Sequence, residues 1–387
     1  MTEKNNKGTT LVWLGLLGIV IAVGLVAAFR LYTEGHYLFN TNDVIIWSLP
    51  LGVYVFLAIT SSGLTLLAGL PLFFGLKQYE PFAKRMVFLA IATLCGAFVS
   101  IGLELGNVPH MIYIMLSPNF SSPIWWMGFI YSVELVVLIV KFWKMHTGDW
   151  HSSFSRFLGA ASFFLALAAP LMIGSVFGLT ESRVTYFGPV MSIYCLLMGL
   201  LSGLALFILY SGVVEKVTGT SLLLQQAGPF QEIVGIFRYV TGVVVGFTLV
   251  KFIIEGSTVV PEFLVYNKFA HAFGAWQGLH TEVILGLFLP FVLMLIPAVR
   301  KSRGGQMVFS ALITVGTLAM VMEILLAGQS HPVGPKAEQF PEFISYFPSV
   351  WEWLVFLLSV AVMLLLYTLG EKYLKLEATP AEAKSGI

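Results

Sequence analysis

Residues 47–75 read WSLPLGVYVFLAITSSGLTLLAGLPLFFG, a run without one Asp, Glu, Lys, Arg or His. A helix rising 1.5 Å per residue needs about 20 such residues to cross a hydrocarbon core of about 30 Å, and this run is long enough. Its neighbours repeat the pattern. Of 387 residues, 58% are hydrophobic and 11% charged, less than half of the roughly 25% charge of soluble domains. The mean hydropathy is +0.88. A soluble chain of this length would divide into two or three domains, whereas this one divides into apolar runs of membrane-spanning length.

The runs are 11–30, 47–75, 86–106, 124–143, 157–177, 187–212, 234–255, 276–299, 307–327 and 350–370. The expected fold is therefore an all-α integral membrane protein of about ten transmembrane helices. The polar stretch MTEKNNKGTT precedes the first run, and no small-residue cleavage site follows it, so the run reads as a retained helix rather than a signal peptide. Asn107–Pro123 differs from the spans: Pro109, Pro118 and Pro123 interrupt it, and it reads as a short helix lying in the interface. Placing the N-terminus inside puts 15 Lys and Arg residues in inner connections and 4 in outer ones (Arg30, Arg183, Lys268 and Lys336). The excess of positive charge predicts an inner-membrane protein with both termini in the cytoplasm.

An internal repeat is visible. Tyr54-VFLAITSS-Gly63-LTLL in the second run matches Tyr194-CLLMGLLS-Gly203-LALF in the sixth, with the same spacing from Tyr to Gly. The third run begins near Arg85 and ends at Glu104, and the seventh begins near Arg238 and ends at Glu255. Trp126-Met-Gly128 followed by Glu134 corresponds to Trp276-Gln-Gly278 followed by Glu282. Three matches in one order predict two tandem four-helix bundles of the same topology, over 47–178 and 179–330. One flanking helix is added at each end, within 1–46 and 331–387.

Charges inside a bilayer are costly, by about 2.5 kcal/mol upward, so an ionisable residue there is a functional candidate by default. The topology gathers Glu104, Glu255, Glu323, Glu134, His280 and Glu282 in the outer half, with His110, His271 and His331 in outer connections. Such a protonatable cluster suits a site exchanging protons with the outer aqueous phase. The plainer reading stands beside it: Glu104, Glu255 and His331 lie near helix ends, where solvation or snorkelling explains them equally. Glu134 lies roughly 13 Å inside its span at 1.5 Å per residue, where an internal ion pair is the alternative, with Arg238 and Lys251 as candidate counter-ions. Tyr131, three residues before Glu134, shares its helix face.

Several chemistries are excluded. A net charge of +1 gives no footprint for nucleic acid. Cys95 and Cys195 form no CxxC and cannot supply the four ligands of an iron–sulfur cluster; both read as packing residues. Only His280 lies clearly inside a span, so paired axial histidines for haem are not expected. No metal-ligand spacing, P-loop or dinucleotide glycine pattern occurs.

The run from Trp47 to Gly63, together with Glu104-LGNVPHMIYIMLSPNFSSPIWWMG, Tyr131 and Glu134, resembles the NrfD/PsrC family of membrane subunits, with the resemblance covering about 47–330. The length and the ten helices look most like the DsrP-type or Hme-type subunit of complexes of dissimilatory sulfur metabolism. The resemblance implies a quinone-reactive subunit, of menaquinone type, with no redox metal of its own. It also implies an outer ferredoxin-like iron–sulfur subunit, a multihaem cytochrome and further membrane subunits as partners. It places Tyr54 where polysulfide reductase has a histidine and Leu51 where it has an asparagine. The expected binding set is then Tyr54, His110, Tyr131 and His280, with Glu104, Glu134 and Glu282 as proton-handling residues. A secondary transporter and a passive anchor are the competing readings; no matched pair of helix interruptions supports the first.

Overall fold

In the computed structural model, residues 2–106, 108–183, 187–218, 227–257, 275–276, 279–330, 334, 344 and 346–377 are described. Among them are nine helices long and apolar enough to cross a membrane, and a tenth, shorter apolar helix. The order is α1 (Thr2–Glu34), α2 (Leu49–Leu72), α3 (Glu80–Glu104), the short α4 (Tyr113–Leu116), α5 (Pro123–His146), α6 (Ser153–Gly178), α7 (Val190–Thr218), α8 (Ala227–Ser257), α9 (Thr281–Leu295), α10 (Arg303–Ser330) and α11 (Val350–Tyr373). The chain is a multi-pass, all-α integral membrane protein, as its apolar runs predict.

The central helix α2 is buried over nearly its whole length and packs on α3, α6 and α7. It begins at Ser48 with Pro50 in the first turn, a position where the missing N–H has no intrahelical partner to lose. It ends where Gly75 takes a positive φ of 72° and the chain reverses. Helix α11 packs on α3, and α1 lies outermost against α11. Apolar side chains such as Leu25, Val26 and Phe29 face outward, where the surrounding lipid is as apolar as they are.

The glycines of the repeat meet each other. A Cβ built on Gly63 would lie 1.9 Å from the carbonyl oxygen of Gly199 and 3.2 Å from Cα of Gly203; one built on Gly203 would lie 2.8 Å from Cα of Gly63. Helices α2 and α7 therefore touch backbone to backbone, the close approach that small residues permit in membranes. Thr60 donates to Ser202 Oγ across the same contact at 2.8 Å.

One expectation needs revision. The predicted span 276–299 does not run as one helix. Ala275–Trp276 pairs with Leu279–His280 as a two-residue ladder, and α9 begins only at Thr281. Its residues Ile284–Phe288 form a wider π turn. The physical reason is Pro290, which lacks the N–H that would bond the carbonyl of Gly286 and so favours a local rearrangement just before it. At 1.5 Å per residue α9 is about 22 Å long, short of a full hydrocarbon core. The segment 107–123 holds two short helical pieces, Val108–Ile112 and α4.

The helix ends opposite Glu104 are tied by charge. Arg85, 2% exposed, holds Glu371 through Nε at 2.6 Å and a second nitrogen at 3.1 Å. Lys84 donates to the carbonyls of Leu374 and Lys375. Buried Lys141 donates to Ser155 Oγ at 2.7 Å and to its carbonyl at 3.0 Å, joining α5 to α6.

Candidate functional site

A cavity of about 310 Å³ opens among α2, α3, α5 and α6, walled largely by apolar residues including Trp47, Leu51 and Met127. Tyr54 and Glu104 both line it, so the structure brings together two of the predicted residues, 50 positions apart in sequence. A second cavity of about 350 Å³ adjoins it, with Ile46, Trp47, Ile124 and Val176 common to both walls and with Arg183 and Gln329 lining the second alone.

Local folding explains each placement. Glu104 is the last residue of α3. Its carboxylate accepts from Ser48 Oγ at 2.5 Å and Ser48 N at 3.2 Å. It thereby sits at the N-terminus of α2, where a negative group is favoured by the unsatisfied N–H groups and the helix dipole. Glu104 is thus held by the protein while still facing the cavity. The backbone just before α2 hangs on α10: Gln329 Oε1 accepts from Ile46 N at 3.0 Å and Trp47 N at 2.7 Å, and its Nε2 donates to Trp47 O at 3.2 Å. Tyr346 Oη takes the Leu49 N–H at 2.8 Å and donates to buried Glu352. Its hydroxyl lies outside the spanning helices, and burial together with the neighbouring Glu352 carboxylate pushes its pKa up, so it stays a donor.

Tyr131 and Glu134 lie one turn apart on α5, both fully buried. The Tyr131 ring stands edge-on to Tyr54 with centroids 6.4 Å apart. Among the described residues, the Tyr131 hydroxyl and both Glu134 oxygens have no hydrogen-bond partner, nor does Ser62 Oγ; Ser62 and Thr65 of α2 face Glu134. Neither predicted residue is in the cavity wall: Tyr131 lies against Tyr54, and α5 reaches the wall through Ile124, Met127, Gly128 and Ser132. An unpartnered buried carboxyl group costs several kcal/mol unless it works in its neutral form or meets a ligand or proton carrier.

The remaining candidates fall elsewhere. His110 belongs to the short helical segment Val108–Ile112, one residue before the cavity-lining Met111; its side chain lies outside the description. So does that of Glu255, and His271 and His331 lie outside the described residues. His280 and Glu282 do not line the cavity; they meet one another and Glu323, with His280 Nδ1 2.9 Å from Glu282 and 3.9 Å from Glu323. Of the candidate counter-ions, Arg238 lies over the Tyr239 ring at 4.8 Å and Lys251 over the Tyr194 ring at 5.8 Å. Ser48, Gln329 and Tyr346 were not singled out by sequence reasoning. Ser48 carries a legible signal, a small hydroxyl residue just before a helix with Pro in its first turn; the other two act across about 280 to 300 residues and carry none.

Comparison with known proteins agrees with this architecture. The chain is 23% identical to the Hdr-like menaquinol oxidoreductase integral membrane subunit of Archaeoglobus fulgidus, over 95% of each chain. It is 22% identical to a Halobacterium salinarum protein named as a membrane component of dimethyl sulfoxide reductase, over 82% of this chain and 77% of that one. It is also 21% identical to one of the subunits of selenate reductase from Mesobacillus selenatarsenatis, over 54% and 58%. The profile described as polysulphide reductase, NrfD, matches residues 37–333, which take in the cavity, the α2–α7 crossing and the His280 cluster. The chain belongs to the NrfD (polysulphide reductase) family.

Proposed function

We propose that this chain is the quinone-reactive membrane subunit of a multisubunit respiratory oxidoreductase, working between a menaquinone-type pool and iron–sulfur or haem groups on partner chains. The observation that carries this is the 310 Å³ cavity, apolar in its walls and polar at Tyr54 and Glu104. Its volume lies in the range of small-molecule sites, and the orphaned Tyr131 hydroxyl and Glu134 carboxyl stand behind it. A quinone supplies paired electron and proton transfer when bound. Tyr54 and Glu104 would hold the headgroup, with His110 as a further hydrogen-bonding candidate, and Trp47 and Met127 would exclude water around it. Tyr131 Oη and the Glu134 oxygens would hold and release protons on the path away from the cavity. The 95% coverage of a menaquinol oxidoreductase subunit supports this reading. The relatives' names also support an assembly of several subunits; a ferredoxin-like subunit, a multihaem cytochrome and a role in sulfur metabolism are finer proposals. The charge asymmetry of the connections supports an inner-membrane location with cytoplasmic termini. The two four-helix bundles, over 47–178 and 179–330, would then be a quinone-binding half and a second half.

A transporter reading finds one favourable observation, the interruption of α9, yet its counterpart α5 is continuous over Pro123–His146, and alternating access draws on matched breaks. The deciding experiment is purification of the native complex in mild detergent, identification of its subunits and extraction of bound quinone. Co-purifying redox subunits with near-stoichiometric quinone is the expected result. Tyr54→Phe and Glu134→Gln should each lower quinol turnover by roughly tenfold or more, the worth of about 1.4 kcal/mol, with the complex still assembled. A lone chain without quinone, or normal turnover in both variants, overturns the proposal.

A further inference from the structure

The second bundle holds a constellation that the quinone cavity does not use. His280, Glu282 and Glu323 each offer a ligand atom, and these three atoms all lie within 4.8 Å of one another. The sequence separates Glu323 from the other two by about 40 residues, so the cluster is a product of packing. That packing has an identifiable origin. A Cβ built on Gly286 would lie 2.4 Å from Cα of Gly316, so α9 and α10 approach backbone to backbone there. Glu282 precedes Gly286 by four residues and Glu323 follows Gly316 by seven, so both lie to the same side of this crossing, where their ligand atoms come within 4.8 Å. The bare crossing therefore draws two carboxylates together, at the start of a helix whose next residues form a π turn, a feature frequent at functional sites.

The side chains are sheltered, with Glu282 at 0%, Glu323 at 13% and His280 at 14% exposure. Glu282 uses one oxygen toward His280 at 2.9 Å, while its other oxygen is buried and has no hydrogen-bond partner among the described residues. A buried carboxylate oxygen with no protein partner beside two further metal-ligating side chains has an unmet need for a positive or hydrogen-bonding group.

We propose that His280, Glu282 and Glu323 form a binding site for a divalent transition-metal ion of the zinc class, in the second bundle and separate from the quinone cavity. One imidazole and two carboxylates are ligands such ions accept, with the fourth tetrahedral position left for water. Bonds of about 2.0–2.2 Å set ligand atoms about 3.3 Å apart in a tetrahedron. The present separations, all within 4.8 Å, exceed that by at most about 1.5 Å, within the reach of side-chain rotation. Two carboxylates match the ion's charge. Lys251, close enough to His280 to act on it through its charge, opposes a cation and so sets the affinity lower than the three ligands alone would.

This inference does not rest on the quinone reading, and its readout is metal binding rather than turnover. The native complex, stripped with chelator, is titrated with Zn2+ alone by equilibrium dialysis and with Co2+ by its visible absorption. One Zn2+ held per chain and a tetrahedral Co2+ spectrum are expected. Glu282→Gln and Glu323→Gln should each weaken binding at least tenfold. Lys251→Gln should tighten it severalfold, a change opposite to that of a protein merely losing a structural ion pair, and this variant serves if the carboxylate variants fail to assemble. Absence of stoichiometric binding, equal binding by wild type and Glu282→Gln, or weaker binding in Lys251→Gln overturns the proposal.

Discussion

Replacing Gln329 by Leu removes a single buried amide that holds the backbone in front of α2. Gln329 is 3% exposed. Its oxygen takes two backbone N–H groups, of Ile46 and Trp47, and its nitrogen donates to the carbonyls of Trp47 and Leu325. The Leu325 carbonyl keeps the ordinary helical role of its position, so the loss falls on residues 46–47. A hydrogen bond contributes about 1 kcal/mol net, so the three bonds lost to Ile46 and Trp47 shift the local opening equilibrium by about 3 kcal/mol, roughly 150-fold. Hydrogen–deuterium exchange of the peptide spanning Ile46 and Trp47, followed by mass spectrometry on the detergent-purified complex, reads this directly. Leu should accelerate exchange there by roughly 150-fold and leave the interior of α2 protected. Glu at the same position keeps the acceptor oxygen but loses the donor to the Trp47 carbonyl, so it should restore only part of the protection. Because Trp47 walls both cavities, the Leu variant should also raise the apparent quinol KM. Exchange at 46–47 within twofold of wild type in the Leu variant would refute the reasoning.

Gly63→Ala forces a Cβ to within 1.9 Å of the Gly199 carbonyl; the helices must part, and a loss of about 1–3 kcal/mol should lower Tm, whereas Gly15→Ala, with nothing within 4 Å, should leave Tm unchanged. Arg85→Met strands Glu371 and should cost about 3 kcal/mol, with part of the Tm recovered in the double variant Arg85→Met/Glu371→Gln. In the connection between α5 and α6, Lys144 beside Asp149 and the Ser152 hydroxyl hold its carboxyl down at about 2. A depressed carboxylate stabilises the fold above its unfolded pKa. The Tm difference between wild type and Asp149→Asn should therefore be constant near neutrality and close as pH falls from about 4 toward 2.

The spans were legible because the bilayer fixes their length, and an uncharged run such as 47–75 leaves little else to form. That the start of α2 and the end of α3 share one membrane face was legible for a related reason, since topology places them there; that Tyr54 and Glu104 line one cavity was not. The π turn in α9 was not legible, since Ile284–Phe288 has the same apolar composition whether it winds as α or π. Nor was the distinction between cavity wall and second row, since Tyr131 and Ser132 are adjacent in sequence and only packing decides which of them lines the cavity. The grouping of His280 and Glu282 with Glu323 depends on a crossing of two glycines in different helices, and nothing local in sequence encodes it.

The crossing of α2 and α7 carries a consequence for dissecting the molecule. Gly63 meets Gly203, its own counterpart in the repeat, which is how a position behaves on a two-fold axis between identical subunits. In α7 the contact is prepared by Gly199 and Gly203, four residues apart, the spacing by which isolated membrane helices dimerise. The second half expressed alone would present that notch to lipid with nothing shaped to fill it except another copy of itself. Splitting the chain between α6 and α7 should thus yield not a monomeric half but a homodimer built around the same pair of bare backbones.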